Sequence, residues 1–400
     1  MKKLRVALLG TSHPHAVGFY HACAEFPDEI ELIGYADVPP YDRQDPEQKA
    51  KTNLGEEAMR TVPHFADYRA LLDLQPDLAL VSSDNKAHAD IACETLGRKI
   101  ATMVEKPMAE SVADAIRMAD CAKANDTMLA VNWPIAWFPA FNMAKKLVDE
   151  GRVGRVMRVT YRSPATWGPY SYSKDGQLPP AEFLDTTWWY HHDRGGGSLL
   201  DYACYGAALT TWFFGKQADR VSGIRKNFNL PGFDVEDFSA MLLDFGDGVG
   251  LLEGSWSTYN CGEVPSGPIV HGTEGTIVCD RHSTLLKLYT GRAHGHVPPT
   301  EVIDCGAKTP ELNLARNVID HLTRGTPLHP LLDAERNVSV LAALDGSTPV
   351  LAAVKPKDTD FLRRVRQHPH GEVFNITPES REALYQRLRS RILQWNKEKL

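Results

Sequence analysis

The residues Val104-Glu105-Lys106-Pro107 hold the first suggestion of chemistry in this sequence. Ile100 to Val104 reads as a short apolar strand, and ligands in open α/β sheets bind outside the carboxyl ends of strands. A lysine placed there can reach a substrate hydroxyl, and the following proline stiffens its placement. A second candidate is the turn Gly10-Thr11-Ser12-His13-Pro14-His15 after the first strand. A dinucleotide fold asks for Gly-x-Gly-x-x-Gly here, for a tight turn, close approach of a pyrophosphate and close helix–strand packing. Gly10 meets the first requirement. Ser12 keeps the second side chain small and offers a hydroxyl and a backbone N–H to a phosphate. His15 at the third position predicts a looser helix–strand contact. Asp37 ends the second strand, where an acid accepts hydrogen bonds from an adenosine ribose. No arginine follows it immediately to meet a 2′-phosphate, so NAD is favoured over NADP. His13 and His15 are metal-ligand types, but a site needs further partners that the local sequence does not supply. No metal is expected.

The elements that must position these residues alternate. Strands are expected at Arg5 to Leu9, Ile30 to Ala36, Leu78 to Ser82, Ile100 to Val104 and Met128 to Val131. Helices are expected at His15 to Phe26, Tyr68 to Leu74, Ala87 to Leu96 (Gly97 as its C-cap) and Ser111 to Ala124. This alternation predicts parallel strands with right-handed crossovers, hence a doubly wound sheet over residues 1–132. From residue 133 the pattern changes. Helices are expected at Ala140 to Glu150, Leu199 to Phe214 and Leu312 to Thr323. Longer strands are expected at Val153 to Tyr161, Val221 to Asn227, Phe238 to Asp244, Gly248 to Trp256 and Gly275 to Asp280, with Gly246-Asp247-Gly248 as a hairpin turn. Residues 133–355 thus read as an α/β domain with a large, open, mostly antiparallel sheet. Residues 356–400 read as a tail whose final helix starts at Thr377-Pro378.

Composition narrows the function classes. The 400 residues are 43% apolar and 24% charged with net charge −7, and carry no lysine or arginine block. That argues against nucleic acid or an anionic membrane surface as partner. No apolar run is long enough to span a bilayer. The start, Met1-Lys2-Lys3, leads into a strand too short for a signal peptide. Seven scattered cysteines without a Cys-x-x-Cys pair suggest reduced thiols and a cytoplasmic setting.

Several runs together resemble the glucose-fructose oxidoreductase / inositol dehydrogenase / MocA (Gfo/Idh/MocA) family. They are Ser82-Ser83-Asp84-Asn85, His88, Gly97, Glu105-Lys106-Pro107 and Ser111. Further on come Glu150-Gly151-Arg152-Val153-Gly154, Gly195-Gly196-Gly197-Ser198-Leu199-Leu200-Asp201 and Gly272-Thr273-Glu274-Gly275-Thr276, then the stretch to Asp345-Gly346-Ser347. The resemblance spans residues 4 to 350 or so. It implies a Rossmann-like first domain, a nicotinamide cofactor and a homodimer or homotetramer. It places Lys106 beside the nicotinamide and the substrate carbon, and puts Ser82, Asn85, His88 and Glu105 with Gly10, Ser12, His13, Asp37 and Lys106 around the cofactor. Asp201 corresponds to the family's aspartate. Four residues on, many members have a histidine acid/base; here it is Tyr205, as in glucose-fructose oxidoreductase itself and dihydrodiol dehydrogenases.

At i, i+4 on one helix, Asp201 and Tyr205 can face one cleft. A phenol with a pKa of about 10 is a poor base unless a cation stabilises its phenolate, which Lys106 can supply. Donating a proton to a carbonyl is the easier direction. The aromatics Trp133, Trp137, Trp167, Tyr170, Tyr172, Trp188, Trp189 and Tyr190 cluster near the expected cleft, and flat faces suit the C–H faces of sugars. Of these, Trp133, Trp167 and Trp188, together with His192, are the expected substrate contacts. The expected function is an NAD(P)-dependent hydride transfer at a hydroxyl or carbonyl carbon of a sugar or polyol. Two alternatives stand: a glycosidase or lyase using tightly bound NAD through transient sugar oxidation, and a non-catalytic ligand-binding relative.

Overall fold

The computed structural model describes residues 3–38, 44–165, 168–170, 179–230, 232–258, 264–291 and 297–345. The expected tail and its helix from Thr377 lie outside them. The first sheet comprises β1 (Leu4–Leu9), β2 (Ile30–Ala36), β3 (His64–Phe65), β4 (Leu78–Val81), β5 (Ala101–Glu105) and β6 (Leu129–Asn132). Its order is β3-β2-β1-β4-β5-β6 and every pairing is parallel. β4, β5 and β6 are buried along their whole length, which explains their mostly apolar runs. Helices α1 (Ala16–Ala24), α2 (Pro46–Asn53), α3 (Glu56–Thr61), α4 (Tyr68–Leu72), α5 (His88–Gly97) and α6 (Val112–Asn125) make the connections. The chain winds outward in opposite directions from β1 and β4, so their carboxyl ends frame a crevice. One cap differs from expectation. α5 continues through Gly97, and the left-handed residue is Lys99 at φ 60°, because Arg98 N–H still bonds back to Glu94 O and Thr95 O.

The second sheet comprises β7 (Val156–Pro164), β8 (Arg220–Lys226), β9 (Phe238–Asp244), β10 (Val249–Ser255), β11 (Pro268–Gly272), β12 (Gly275–Val278), β13 (Leu285–Thr290) and β14 (Glu301–Asp304). Its order is β14-β13-β12-β11-β7-β10-β9-β8, antiparallel except where β10 meets β7. The hairpin at Gly246 closes with Phe245 N–H bonded to Gly248 O at 2.9 Å. This domain also carries α7 (Pro139–Asp149), short α8 (Ala181–Leu184) and α9 (Cys204–Phe214), with α7 and α9 packed on the second sheet. The stretch expected as one helix from Leu199 begins instead with a π-helical turn, Leu199–Ala203, before α9. Such widened turns occur often at functional sites.

That turn lies close on β10. A Cβ on Gly254 would stand 2.5 Å from Ala203 N and 3.0 Å from Ser198 O. Likewise Gly206 lets α9 approach Tyr161 of β7, and Gly250 of β10 leaves room for Thr210 of α9. The last helices, α10 (Pro310–Arg324) and α11 (Ala334–Leu344), return to the first domain. Arg316 forks onto the Glu29 carboxylate at 2.7 and 3.0 Å, and Asn337 Oδ1 accepts the Trp133 indole N–H at 2.7 Å. Among the described residues no helix is long and apolar enough to cross a membrane.

Gly254→Ala is expected to cost about 1–3 kcal/mol, because its methyl meets backbone rather than a movable side chain. Gly97→Ala, at a helical site with nothing within 4 Å, is expected to gain about 0.4–1 kcal/mol. Denaturant melts of the two variants check this. A neutral Gly254→Ala would show that the turn carrying Asp201 is not held by β10.

Candidate functional site

β5 delivers Glu105 and Lys106 to the crevice, and the Lys106–Pro107 peptide is cis. Lys106 Nζ donates to Asp201 Oδ1 at 2.7 Å and to Asp201 O at 3.1 Å. The second carboxylate oxygen of Asp201 accepts the Trp256 indole N–H at 3.0 Å. Lys106 is only 3% exposed. Burial pulls its ammonium down, but the Asp201 carboxylate more than offsets this and holds its pKa well above the ordinary lysine value. Lys106 is therefore a fixed cation. Its Nζ stands 4.8 Å from the centroid of the Tyr205 ring. The structure thus brings Lys106, Asp201 and Tyr205 together.

The electrostatics modify the role expected for Tyr205. Burial pushes its phenol up and Lys106 pulls it back by less, so the net is above the ordinary tyrosine value. Tyr205 is held as a neutral phenol, a proton donor. Trp133 packs edge-on against it at 5.5 Å.

The nucleotide turn departs from expectation in its hydrogen bonds. Gly10 takes φ 84°, with Ser82 O and Ser83 N each 3.2 Å from where a Cβ would sit, so only glycine suits. Ser12 N–H does not face outward for a phosphate: it donates to Ser82 O at 2.9 Å, and His13 N–H shares that oxygen at 3.2 Å. Ser82 is wholly buried and its hydroxyl donates to His13 O at 3.4 Å. Asp37 sits at the end of β2 as expected, with His64 Nε2 at 3.0 Å from its carboxylate.

Four buried side-chain atoms around this crevice have no partner: Thr11 Oγ1, His13 Nε2, Asn85 Oδ1 and His88 Nε2. Their chemistry can be assigned. His13 Nδ1 accepts His15 N–H at 3.2 Å, so its proton sits on Nε2, a donor. His88 Nδ1 donates to Pro107 O at 3.2 Å, so its Nε2 is an acceptor. Asn85 Nδ2 donates to Gly195 O at 2.7 Å, leaving Oδ1 an acceptor. Leaving such groups unpaired costs about 1–3 kcal/mol each. Donors suit phosphate oxygens, and acceptors suit ribose hydroxyls or a carboxamide, so the residues fit a dinucleotide.

At the third position of the turn, His15 reaches the strand end that bears the lysine. Its Nδ1 lies 3.0 Å from Glu105 Oε2, while Glu105 Oε1 accepts Asn132 Nδ2 at 2.6 Å. Burial pushes the Glu105 carboxyl up, but His15, Asn132 and Lys106 together bring it below its ordinary value.

The aromatic expectations need correction. Trp133 is fully buried with its N–H spent on Asn337, so it backs Tyr205 rather than facing an open cleft. Trp188 is 1% exposed, stacks on Trp189 at 3.7 Å and donates to Ser12 O at 3.0 Å, so it braces the nucleotide turn. His192 is exposed on a cavity of about 600 Å³ that none of Lys106, Asp201 and Tyr205 lines. Trp167 lies outside the described residues. Sequence reasoning missed Trp256 as the clamp on Asp201, and treated Trp189 as one aromatic among many. Trp189 stands 5.2 Å from the His13 ring and 6.0 Å from Lys106 Nζ. No local signal marks Trp256, since its partner is 55 residues away.

A doubly wound sheet whose crevice meets a buried lysine, followed by an open-sheet domain, is the architecture of a two-domain oxidoreductase. Residues 41–133 match the family model described as oxidoreductase family, NAD-binding Rossmann fold, and residues 141–278 match the GFO/IDH/MocA C-terminal domain. The chain belongs to the Gfo/Idh/MocA oxidoreductase family.

Among its relatives, the levoglucosan dehydrogenase of Pseudarthrobacter phenanthrenivorans is 25% identical over 238 residues, 53% of this chain and 58% of the relative. The myo-inositol 2-dehydrogenase of Thermotoga maritima is 24% identical over 221 residues, 54% of this chain and 57% of the relative. The chain thus spans a little under three fifths of the length of these curated relatives. Solved structures are covered more fully. The WlbA dehydrogenase from Bordetella pertussis, in complex with NADH and UDP-GlcNAcA, has a TM-score of 0.66 at 20% identity over 86% of this chain and 95% of that one. An oxidoreductase from Agrobacterium radiobacter, in complex with NAD+, L-tartaric acid and magnesium, has a TM-score of 0.67 at 17% identity over 87% and 97%. These likenesses establish the fold.

Trp256→Phe keeps the ring but strands one oxygen of a buried carboxylate. It is expected to destabilise the protein by about 1.5–3 kcal/mol. It is also expected to lower kcat by roughly tenfold while the KM for dinucleotide stays within about twofold. Steady-state kinetics with a denaturant melt read both. An unchanged kcat would remove Trp256 from the positioning of Lys106.

Proposed function

We propose that the chain is an NAD-dependent oxidoreductase that interconverts a hydroxyl and a carbonyl on a sugar or polyol. The observation that carries this reading is the buried, charged Lys106 gripped by Asp201 beside the neutral phenol of Tyr205, at the rim of a crevice with four unpartnered polar atoms. The relatives that act on levoglucosan and myo-inositol support the substrate class. Solved relatives holding NAD+ or NADH support the cofactor.

Thr11, His13, Asn85 and His88 would hold the dinucleotide through their unpartnered atoms, with Asp37 at the adenosine ribose. When bound, the nicotinamide supplies or takes the hydride at the substrate carbon. The chain's own part is electrostatic and protonic. Lys106 polarises the substrate oxygen and stabilises the negative charge that grows there in the transition state. Tyr205 O–H donates its proton to that oxygen as the carbonyl is reduced. The reverse direction needs Tyr205 as the phenolate to take the proton, a form that Lys106 favours and burial opposes. Asp201 and Trp256 hold Lys106 in place. The position of Asp37, with no arginine immediately after it, favours NAD over NADP.

The division into a dinucleotide domain, 1–132, and a substrate domain, 133–355, follows the two sheets. A homodimer or homotetramer is supported by the outer face of the second sheet, where paired Leu242 and Leu251 are 46% and 37% exposed. The six cysteines of the described residues are free thiols, which suits a cytoplasmic setting.

NADH titration followed by a panel of keto-sugars and polyols tests the reading. Saturable NADH binding and turnover on at least one sugar or polyol are expected. Lys106→Met is expected to bind NADH within about threefold of the parent and to lose roughly 10²-fold or more in kcat. Undetectable dinucleotide binding would overturn the reading, and full turnover by Lys106→Met would overturn the mechanism. Cleavage of a glycoside without added cofactor would move the chain to the transient-oxidation chemistry.

A further inference from the structure

We propose that His13, His15 and Glu105 form a binding site for one divalent first-row transition ion, with Zn²⁺ the best match. The sequence shows two of these ligands side by side and no third. Folding supplies it from a strand end 90 residues from His15. One donor atom from each residue lies within 4.8 Å of the others. His15 Nδ1 is 3.0 Å and His13 Nδ1 is 3.8 Å from the same Glu105 oxygen. Tetrahedral zinc with bonds near 2.1 Å places its ligand atoms about 3.4 Å apart, so both distances bracket the required value. The remaining gap closes by a rotation of His15, which is 35% exposed, while His13 and Glu105 stay fixed at 2% and 0%.

The surroundings are those of a prepared site. Asn132 Nδ2 and the Lys106 backbone N–H hold the Glu105 carboxylate, and such outer partners orient metal ligands. His13 is pinned through its backbone to Ser82 O and through its ring against Trp189. Its Nδ1 carries a lone pair rather than a proton, since it accepts His15 N–H at 3.2 Å. That long bond is what the ion would replace. A plain histidine–carboxylate pair explains His15 but leaves a second imidazole, 2% exposed, whose Nδ1 lies beside the same oxygen. Two imidazoles and one carboxylate favour Zn²⁺ or a neighbouring first-row ion over Ca²⁺ or Mg²⁺. The partly exposed side at His15 leaves room for a fourth ligand, a water or an oxygen of a bound molecule.

The site stands on its own geometry. It shares His13 and Glu105 with the proposed cofactor crevice, so it is tested without dinucleotide. The full chain, stripped with a chelator, is titrated with Zn²⁺ by calorimetry. One saturable equivalent is expected, with His15→Ala and Glu105→Gln each weakening it by at least roughly tenfold. Far-UV circular dichroism confirms that each variant is folded, and His13→Gln replaces either one that is not. Co²⁺ in place of Zn²⁺ is expected to give d–d bands without a thiolate charge-transfer band. Absence of saturable binding, binding untouched by the substitutions, or a thiolate band would overturn the proposal. None of these results bears on NADH binding, which is titrated separately.

Discussion

Two opposite charges withdrawn from water together, on Lys106 and Asp201, constrain the rest of this molecule. Their side chains are 3% and 7% exposed, and they come from different domains. Removing such ions from water costs several kcal/mol each, and their attraction offsets that only with close geometry and further hydrogen bonds. The structure provides both. Asp201 accepts from Lys106 and from Trp256, and Lys106 also reaches the Asp201 carbonyl. The pair adds little net stability of its own, but either ion without the other is severely disfavoured. The two sheets therefore meet in a fixed relation, with the end of β5 under the turn before α9.

Neighbouring contacts follow from that demand. The turn carrying Asp201 sits close to β10 because Gly254 has no side chain, and Trp256, two residues on, then reaches the carboxylate. The glycine-rich approach to the turn is tied to the first domain by Asn85, and Trp188 ties the segment before it to Ser12. The same segment thus closes over both the lysine and the nucleotide turn. His13, His15 and Glu105 lie under it, joining the carboxyl ends of β1 and β5. Tyr205 stays a neutral phenol because burial outweighs the lysine, which makes proton donation its natural act.

What the sequence revealed divides along physical lines. Strands β4, β5 and β6 were legible because burial on both faces leaves short, mostly apolar runs, and β1 and β2 remained legible although Arg5 and Glu31 interrupt theirs. The hairpin at Gly246-Asp247-Gly248 was legible because turn chemistry is local. α2 and α3 were missed since they are polar, although Asp45 before Pro46 is a start signal that the structure uses: Asp45 Oδ1 accepts Glu47 N–H at 2.8 Å. β14 was missed because three of its four residues are exposed and no alternation shows. In the site, Lys106 and Asp201 were visible from position and resemblance. Their surroundings were not. The contacts of Trp256 with Asp201, Glu105 with His15 and Trp188 with Ser12 span 55, 90 and 176 residues, and no local pattern encodes them. Counting aromatics located the neighbourhood of the cleft but could not tell which indole N–H had a partner inside, as those of Trp133, Trp188 and Trp256 do.

The claim that a buried ion pair sets the relation of the two domains is tested most directly by a double-mutant cycle on folding stability with Lys106→Met, Asp201→Leu and the pair combined. Each single change leaves one charge buried and alone, and is expected to cost about 3–5 kcal/mol. The double change removes both charges and is expected to be more stable than either single variant. Additive losses, with the double variant the least stable of the three, would contradict the account.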